Sequence, residues 1–515
     1  MAEISPQIQE KPKEEVESDV HNVVMKIQRA PEIYKEYEEK PTKGEVLLWY
    51  LYELCSYFVH TLLIPIVFPL IISQTVPKPT ELRNYRGSKC NQTEMQLYEE
   101  LINRAIKLGH LHFSPLEWTS VSWITGLILS APILGLVSIH LDYGHNQQLI
   151  AASATGIGAL FCLPAGFFRK SYIFPPYIAA IIIASTIASA AHARHLGLMI
   201  RGFTGPTINK RQFPDRRSFA SRLSLYSTAA GCLGASIMAS FTYHMIRHSD
   251  HFTSLWVVSI FSGLCWGVGM IHIFSTNRGT TSLNDDLSMS SVTRVVSIFK
   301  YPHAAGSLVG VFLSSFISMC VFGGGLLYAM GDHCVKTENI LYLWLVYFMF
   351  PLLSLPLSHP LQQILKLDAE KMKLLGFVLS CVTSGFGFYY RSHIWSKYHI
   401  LLFAAIQGTA TGLLHAFGRA LWLDCSPAGK EGAFSVWFSW ARAVGACAGF
   451  ALATSVPGNV GKSFGVSFCA GIVGIIVLIF GNISSFGGAK AAGHVINSEK
   501  ASPVRDDLSK GKVEV

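Results

Sequence analysis

The chain has 515 residues, half of them apolar and only 14% charged, with a formal net charge of +9 and a mean hydropathy of +0.37. A soluble protein carries roughly 25% charged residues to cover its surface, so the composition excludes a string of soluble domains and suits a bilayer. The positive charge does not mark a nucleic-acid partner: the Lys and Arg lie between apolar runs, as loops facing an anionic leaflet do, and not along one exposed groove.

Residues 1–45 are polar and mixed in charge, with no signal-peptide core, and read as a cytosolic N-terminal tail before an uncleaved first anchor. A crossing needs about 20 mostly apolar residues. Such runs fall near 46–73, 118–140, 148–168, 172–194, 222–246 and 253–274, and again near 304–330, 339–360, 372–391, 399–423, 431–455 and 462–482. The expected fold is therefore all-α and membrane-embedded, with about twelve spans: a six-helix half (46–274), a central cytosolic loop (275–303), a second six-helix half (304–482) and a cytosolic tail (483–515). Two six-helix halves around a midplane site are the organisation of many secondary transporters.

Prolines inside the runs (Pro65, Pro69, Pro132, Pro175, Pro176, Pro351, Pro356) predict kinks turned toward other helices or a cavity, because freed peptide groups cannot face lipid. Small-residue pairs such as Gly306/Gly310, Gly445/Gly449 and Gly461/Gly465 predict close helix packing. The loop after the fourth run holds Arg201, Lys210, Arg211, Arg216, Arg217 and Arg222, which favours a cytosolic N-terminus. That topology puts the long loop 74–117 on the lumenal or extracellular side. There Asn91-Gln92-Thr93 is a glycosylation sequon, and Cys90 shares the side with Cys334, a candidate disulfide pair. Most other cysteines fall inside apolar runs, and no Cys-x-x-Cys spacing points to a metal.

Ionisable side chains inside a span cost about 2.5–3.5 kcal/mol at its centre and turn toward partners or water. Glu53 sits roughly 10 Å into the first run. It reads as a proton-coupling carboxyl or as a structural one hydrogen-bonded near the cytosolic face. Arg442, near the middle of the eleventh, reads as an anchor for an anionic substrate group or as half of a buried pair with an acid such as Glu53. Arg419, Asp424 and Glu431 cluster at the junction of the tenth and eleventh runs, as a cytosolic gate or helix-end ion pairs. Histidines at span ends (His192, His244, His272, His359, His415) read as pH sensors or, for most of them, as ordinary interfacial residues. No nucleophile elbow, P-loop or zinc-protease helix is present, so neither an enzyme nor a cofactor is expected.

Two stretches carry a resemblance. The first run, Glu45-x-x-x-Trp49-Tyr50-Leu51-Tyr52-Glu53 with Pro65, and the junction Gln407, His415-Ala416-Phe417-Gly418-Arg419, Pro427-Ala428-Gly429-Lys430-Glu431-Gly432-Ala433-Phe434 resemble the autophagy-related vacuolar amino-acid effluxers, a branch of the major facilitator superfamily. Pro132-Ile133-Leu134-Gly135 is similar to that family's Pro-x-Leu-Gly. The resemblance implies a facilitator fold, alternating access, and proton-coupled amino-acid efflux from a vacuole-like compartment, with plasma membrane as another location. This chain departs by carrying Glu53 where the family has Asp, Ser56 where it has Asn, and Asp142-Tyr143-Gly144-His145-Asn146 where the superfamily has a basic turn. The alternatives are another cargo (a sugar, nucleoside, organic acid or lysolipid) or a non-transporting membrane scaffold or receptor on the same fold.

Overall fold

The computed structural model describes residues 39–76, 98–102, 105–144, 146–205, 207–248, 255–275, 278, 295–331, 335, 337–393, 395–457, 459–481 and 483–496. Twelve long helices run through them: α1 (Lys43–Gln74), α2 (Pro115–Tyr143), α3 (Gln147–Phe167), α4 (Ser171–Thr204), α5 (Phe213–His248), α6 (Leu255–Phe274), α7 (Pro302–Gly331), α8 (Thr337–Leu365), α9 (Ala369–Tyr389), α10 (Lys397–Asp424), α11 (Glu431–Ser455) and α12 (Val460–Phe480). Eleven are long and apolar enough to cross a membrane. The remaining one, α5, is the longest at 36 residues; its apolarity is diluted by Ser224, Ser227, Thr228, Ser236 and Thr242, which are buried among neighbouring helices. The chain is an integral, multi-pass membrane protein. Ile128, Leu136, Leu160, Leu353, Leu357 and Ile479 lie exposed on its outer surface, where lipid replaces water.

The helices pack as two groups of six that repeat each other. Within the first, α1 meets α5 and α6, α2 and α3 meet α4, and α3 meets α6. Each of these pairings recurs six helices later: α7 with α11 and α12, α8 and α9 with α10, α9 with α12. The halves join through α2 on α11 and, in the mirrored position, α8 on α5. A second mirrored pair, α4 on α11 and α10 on α5, joins them again. The end of the bundle where α1 begins and where α2, α4, α6, α8 and α10 finish is called the near face below. A small hairpin (β1, Ile106–Leu108, antiparallel to β2, Leu111–Phe113) precedes α2 at the far face.

Local sequence explains the irregular turns. Around Pro65, which has no N–H to give, α1 widens into a π-helical stretch, Val59–Val67, and Pro69 opens the α-helical turn that follows. Pro132, Pro351 and Pro356 stay inside α2 and α8. Pro175 and Pro176 do not kink a helix interior: they occupy the first turn of the α-helical part of α4, where a missing N–H needs no partner. Gly445 and Gly449 bring α11 against α7 so closely that a Cβ would lie 2.4 Å from the Phe312 carbonyl oxygen and 2.3 Å from that of Phe316. Part of the expected tail is folded: α13 (Ser485–Ala491) and β4 (Val495–Ile496) lie on the near face, with β4 parallel to β3 (Ile208–Asn209). Ala428 N–H donates to Ala492 O (3.0 Å) and Ile208 N–H to His494 O (2.9 Å), so this segment straps one half to the other.

Candidate functional site

A cavity lies at the middle of the bundle between α1, α7, α8, α10 and α11. The π-helical stretch of α1 presents His60 and Thr61 to it, beside Tyr57. From the other half come the hydroxyls of Ser314, Ser315, Ser318 and Thr411, the rings of Phe322, Tyr347, Phe348 and Phe438, and Arg442. Tyr347 Oη donates to Thr411 Oγ1 (3.1 Å). The Arg442 guanidinium lies 6.0 Å from the Tyr57 ring centre and makes no hydrogen bond or ion pair with any described residue. A second, apolar cavity, lined by Leu70, Leu326, Trp344 and Phe450 among others, continues toward the far face.

Below the cavity, charged groups close the near face. Arg419 Nη2 on α10 donates to Glu53 Oε1 on α1 (2.7 Å) and to His415 Nε2 (2.8 Å), while its Nη1 donates to Ser227 Oγ on α5 (3.1 Å). Glu53 is thus buried between both halves, with His192 Nε2 of α4 3.1 Å from its Oε2 and His415 Nε2 3.4 Å from its Oε1. Trp49 stacks flat on His192 at 4.6 Å and donates its indole N–H to the His192 carbonyl (3.2 Å), which fixes the imidazole against α1. Glu53 and Arg419 are therefore brought together, and the acid partner considered for Arg442 belongs to Arg419.

The other two junction residues reach across the halves as well, and not toward each other. Glu431, in the first turn of α11, takes Arg201 Nη1 at 2.7 Å and Arg194 Nη2 at 3.6 Å, both from α4. Asp424, at the end of α10, lies 3.8 Å from Arg216 Nε of α5. Arg217 pairs with Asp368 beside it. Asp142, the acid left in the turn that lacks its basic residues, accepts from the Gly432 and Ala433 N–H groups (2.6 and 3.3 Å). It caps α11 from the opposite half, where a carboxylate meets the positive end of the helix dipole. Among the described residues every ion pair joining the halves lies on this side of the cavity; toward the far face they meet through apolar side chains and the Ser120–Thr454 hydroxyl contact (3.3 Å).

Between Glu53 and the near face, within the first half, is a group that span-end placement concealed. His195 Nε2 is 3.0 Å from Glu45 Oε1, and Glu45 holds Arg278 through two bonds of 2.7 and 2.9 Å. His272 stands between the rings of His192 and His195. His244 is exposed and His359 half-buried, away from this cluster. Cys90, Asn91 and Cys334 lie outside the described residues.

Two repeating six-helix halves around a central cavity form a major facilitator fold. The chain is similar to the crystal structure of a bacterial homologue of the iron transporter ferroportin in an outward-facing state, at 13% identity, with a TM-score of 0.50, over 85% of this chain and 98% of that one. No family model and no curated protein matches the chain.

Proposed function

We propose that the chain is a secondary transporter that works by alternating access, carrying a small solute with a carboxylate or comparable anionic group. One observation carries this reading: Arg442, which makes no hydrogen bond or close ion pair with any described residue, lines the central cavity. A guanidinium in a bilayer is costly unless something anionic meets it. The hydroxyls and aromatic rings opposite it suit the remainder of a zwitterion, with the rings facing a cation. Amino acids fit that description, and the resemblance in α1 and at the α10–α11 junction favours them and a vacuole-like membrane, with the near face in the cytosol.

Glu53 is the proton site of this mechanism. It belongs to the first half, and Arg419 and His415 to the second. Rocking the halves apart at the near face withdraws the guanidinium, and the bare carboxylate left in a low-dielectric setting takes a proton. Arg419, Asp424 and Glu431 form the gate on that face. Proteoliposomes containing the purified protein, offered a panel of radiolabelled amino acids, organic acids, nucleosides and sugars across a pH gradient, test the reading. Uptake of an amino acid or organic acid is expected, reduced at least about ten-fold by Arg442→Gln, with Glu53→Gln losing its dependence on the gradient but keeping exchange. Flux of none of these solutes, or flux indifferent to Arg442→Gln, overturns it.

A further inference from the structure

Three histidines in the first half are almost wholly buried, at 4% (His192), 3% (His195) and 4% (His272) relative exposure. Among the described residues His192 Nδ1 and Nε2, His195 Nε2 and His272 Nε2 have no aligned hydrogen-bond partner, although His192 Nε2 and His195 Nε2 lie close to the Glu53 and Glu45 carboxylates. An unsatisfied buried polar atom costs about 1–3 kcal/mol, and apolar residues would fill the same space without that cost. The three are not scattered. From the cavity outward, Glu53 is 3.1 Å from His192, the His192 and His272 ring centres are 6.0 Å apart, those of His272 and His195 are 5.0 Å apart, and His195 is 3.0 Å from Glu45. Glu45, itself only 2% exposed, sits in the first turn of α1 one residue from the exposed Gly44 and two from the exposed Lys43. The line covers the eight-residue spacing of α1 from Glu45 to Glu53, roughly 12 Å of helix.

We propose that His192, His272 and His195 form a proton relay that connects Glu53 to the solvent at the near face through Glu45. The proposal rests on the reading of Glu53 as the proton site. A neutral imidazole has one N–H and one bare nitrogen, so it accepts a proton on one side and releases another from the opposite side. A proton arriving at the Glu45 carboxylate passes to His195, on to His272, and then to His192, whose Nε2 faces Glu53 Oε2. Each ring ends neutral with its proton on the other nitrogen, a ring flip resets it, and the net change is one proton moved from solution to Glu53. Ring separations of 5–6 Å are spanned by a modest rotation or by one bridging water.

The surroundings favour this use. All members of the line sit on α1, α4 and α6 of one half, so it stays intact when the halves rock, while Arg419 and His415 depart with the other half. The remaining charges packed around it are committed elsewhere: Arg278 to Glu45, Arg194 and Arg201 to Glu431, Asp142 to the first turn of α11, and Arg216 beside Asp424. Arg442 faces the cavity by Tyr57, and α3 contributes the uncharged Gln148 and Thr155.

The test uses the full chain in lipid nanodiscs and needs no substrate. A pH jump is followed by infrared absorption of protonated carboxyl groups. Wild-type protein should develop a carboxyl band that Glu53→Gln lacks. In His272→Ala the band should reach the same final amplitude but rise about ten-fold or more slowly, because a transfer group is missing. Imidazole in the buffer should restore part of the speed. His272→Gln, which keeps volume and polarity, should also be slow, so a folding defect in the alanine variant does not decide the matter. A wild-type rise in both variants overturns the relay while leaving Glu53 as the proton site. Absence of a Glu53-dependent band in wild type removes the proton site itself. Stoichiometric binding of Zn²⁺ or Fe²⁺ that His272→Gln abolishes also overturns the relay, by assigning the cluster to a metal.

Discussion

Replacing Arg419 with Met removes the donor that lies 2.7 Å from Glu53 and leaves a carboxylate buried between the halves. Breaking a buried pair from one side costs about 3–5 kcal/mol. The stranded acid has one escape, which is to take a proton. For a carboxyl of ordinary affinity, near 4.3, that step at pH 7.5 costs about 4 kcal/mol, which caps the damage. The sign with pH follows: the penalty of Arg419→Met is largest at neutral pH and shrinks by about 1.4 kcal/mol for each unit of acidification toward the carboxyl range. The double variant Glu53→Gln/Arg419→Met has no charge left to strand, so it should recover to within about 1 kcal/mol of wild type, giving a coupling of at least about 2 kcal/mol. Thermal and denaturant unfolding in detergent, at pH 7.5 and 5.5, measures all four proteins. If the two single losses simply add, or if Arg419→Met is equally unstable at both pH values, the pair is not what holds this closure.

Two further outcomes follow from the packing. His494 donates to the Ser426 carbonyl (2.8 Å), and burial, with Arg216 nearby, holds its pKa down at about 3 from an ordinary 6.5. The docked strap keeps it neutral and the released strap does not. Docking is therefore complete above pH 6.5 and weakens as pH falls toward 3, by about 2 kcal/mol at pH 5. Hydrogen exchange over 485–496 should rise between pH 7.5 and 5 after correction for intrinsic rates, and unchanged protection would count against the strap being held this way. Gly449→Leu should drive α11 off the Phe316 carbonyl at a cost of about 1–3 kcal/mol or more. Gly323→Ala, whose new methyl would meet only the Ala453 methyl at 3.3 Å, should lower the melting temperature far less.

The spans were legible because an apolar run of twenty residues has few other uses, and the helix ends fall within a few residues of the expected ones for most spans, though α4 and α5 extend about ten residues further. The charged residues inside those runs were legible for the same reason: Glu53, Arg419, Asp424, Glu431 and Arg442 stand out against their surroundings. Their partners were not. Glu53 and Arg419 are 366 positions apart, and only the repeat of helix pairings brings α1 beside α10. The histidine group was hidden because His192 and His272, taken alone, looked like span-end residues and His195 was not singled out at all. A signal existed: His192 and His195 are three apart on α4 and so share one face, and Glu45 and Glu53 recur at eight residues on α1. The turn at Asp142 was also misleading, since its missing basic residues drew attention away from the one acid needed to cap α11.

Under the proposed mechanism, the placement of these groups limits how much any one of them can drive. Opening the near face separates Glu431 from Arg194 and Arg201, Asp424 from Arg216, and Asp142 from the α11 terminus; these groups are almost wholly buried while the face is closed and are hydrated as it opens. A buried pair largely repays its own desolvation, so separating both partners into water costs much less than stranding either one in place. Glu53 and Arg419 lie deeper, and their separation dominates the cost. Moving a two-state equilibrium from 1:99 to 99:1 takes about 5.5 kcal/mol, whereas a proton on Glu53 contributes about 1.4 kcal/mol per pH unit of driving force. A gradient of one or two units cannot turn the protein over unaided. The remaining difference has to come from solute bound differently in the two states, and the group placed to sense it is Arg442, on the same half of the molecule as Arg419.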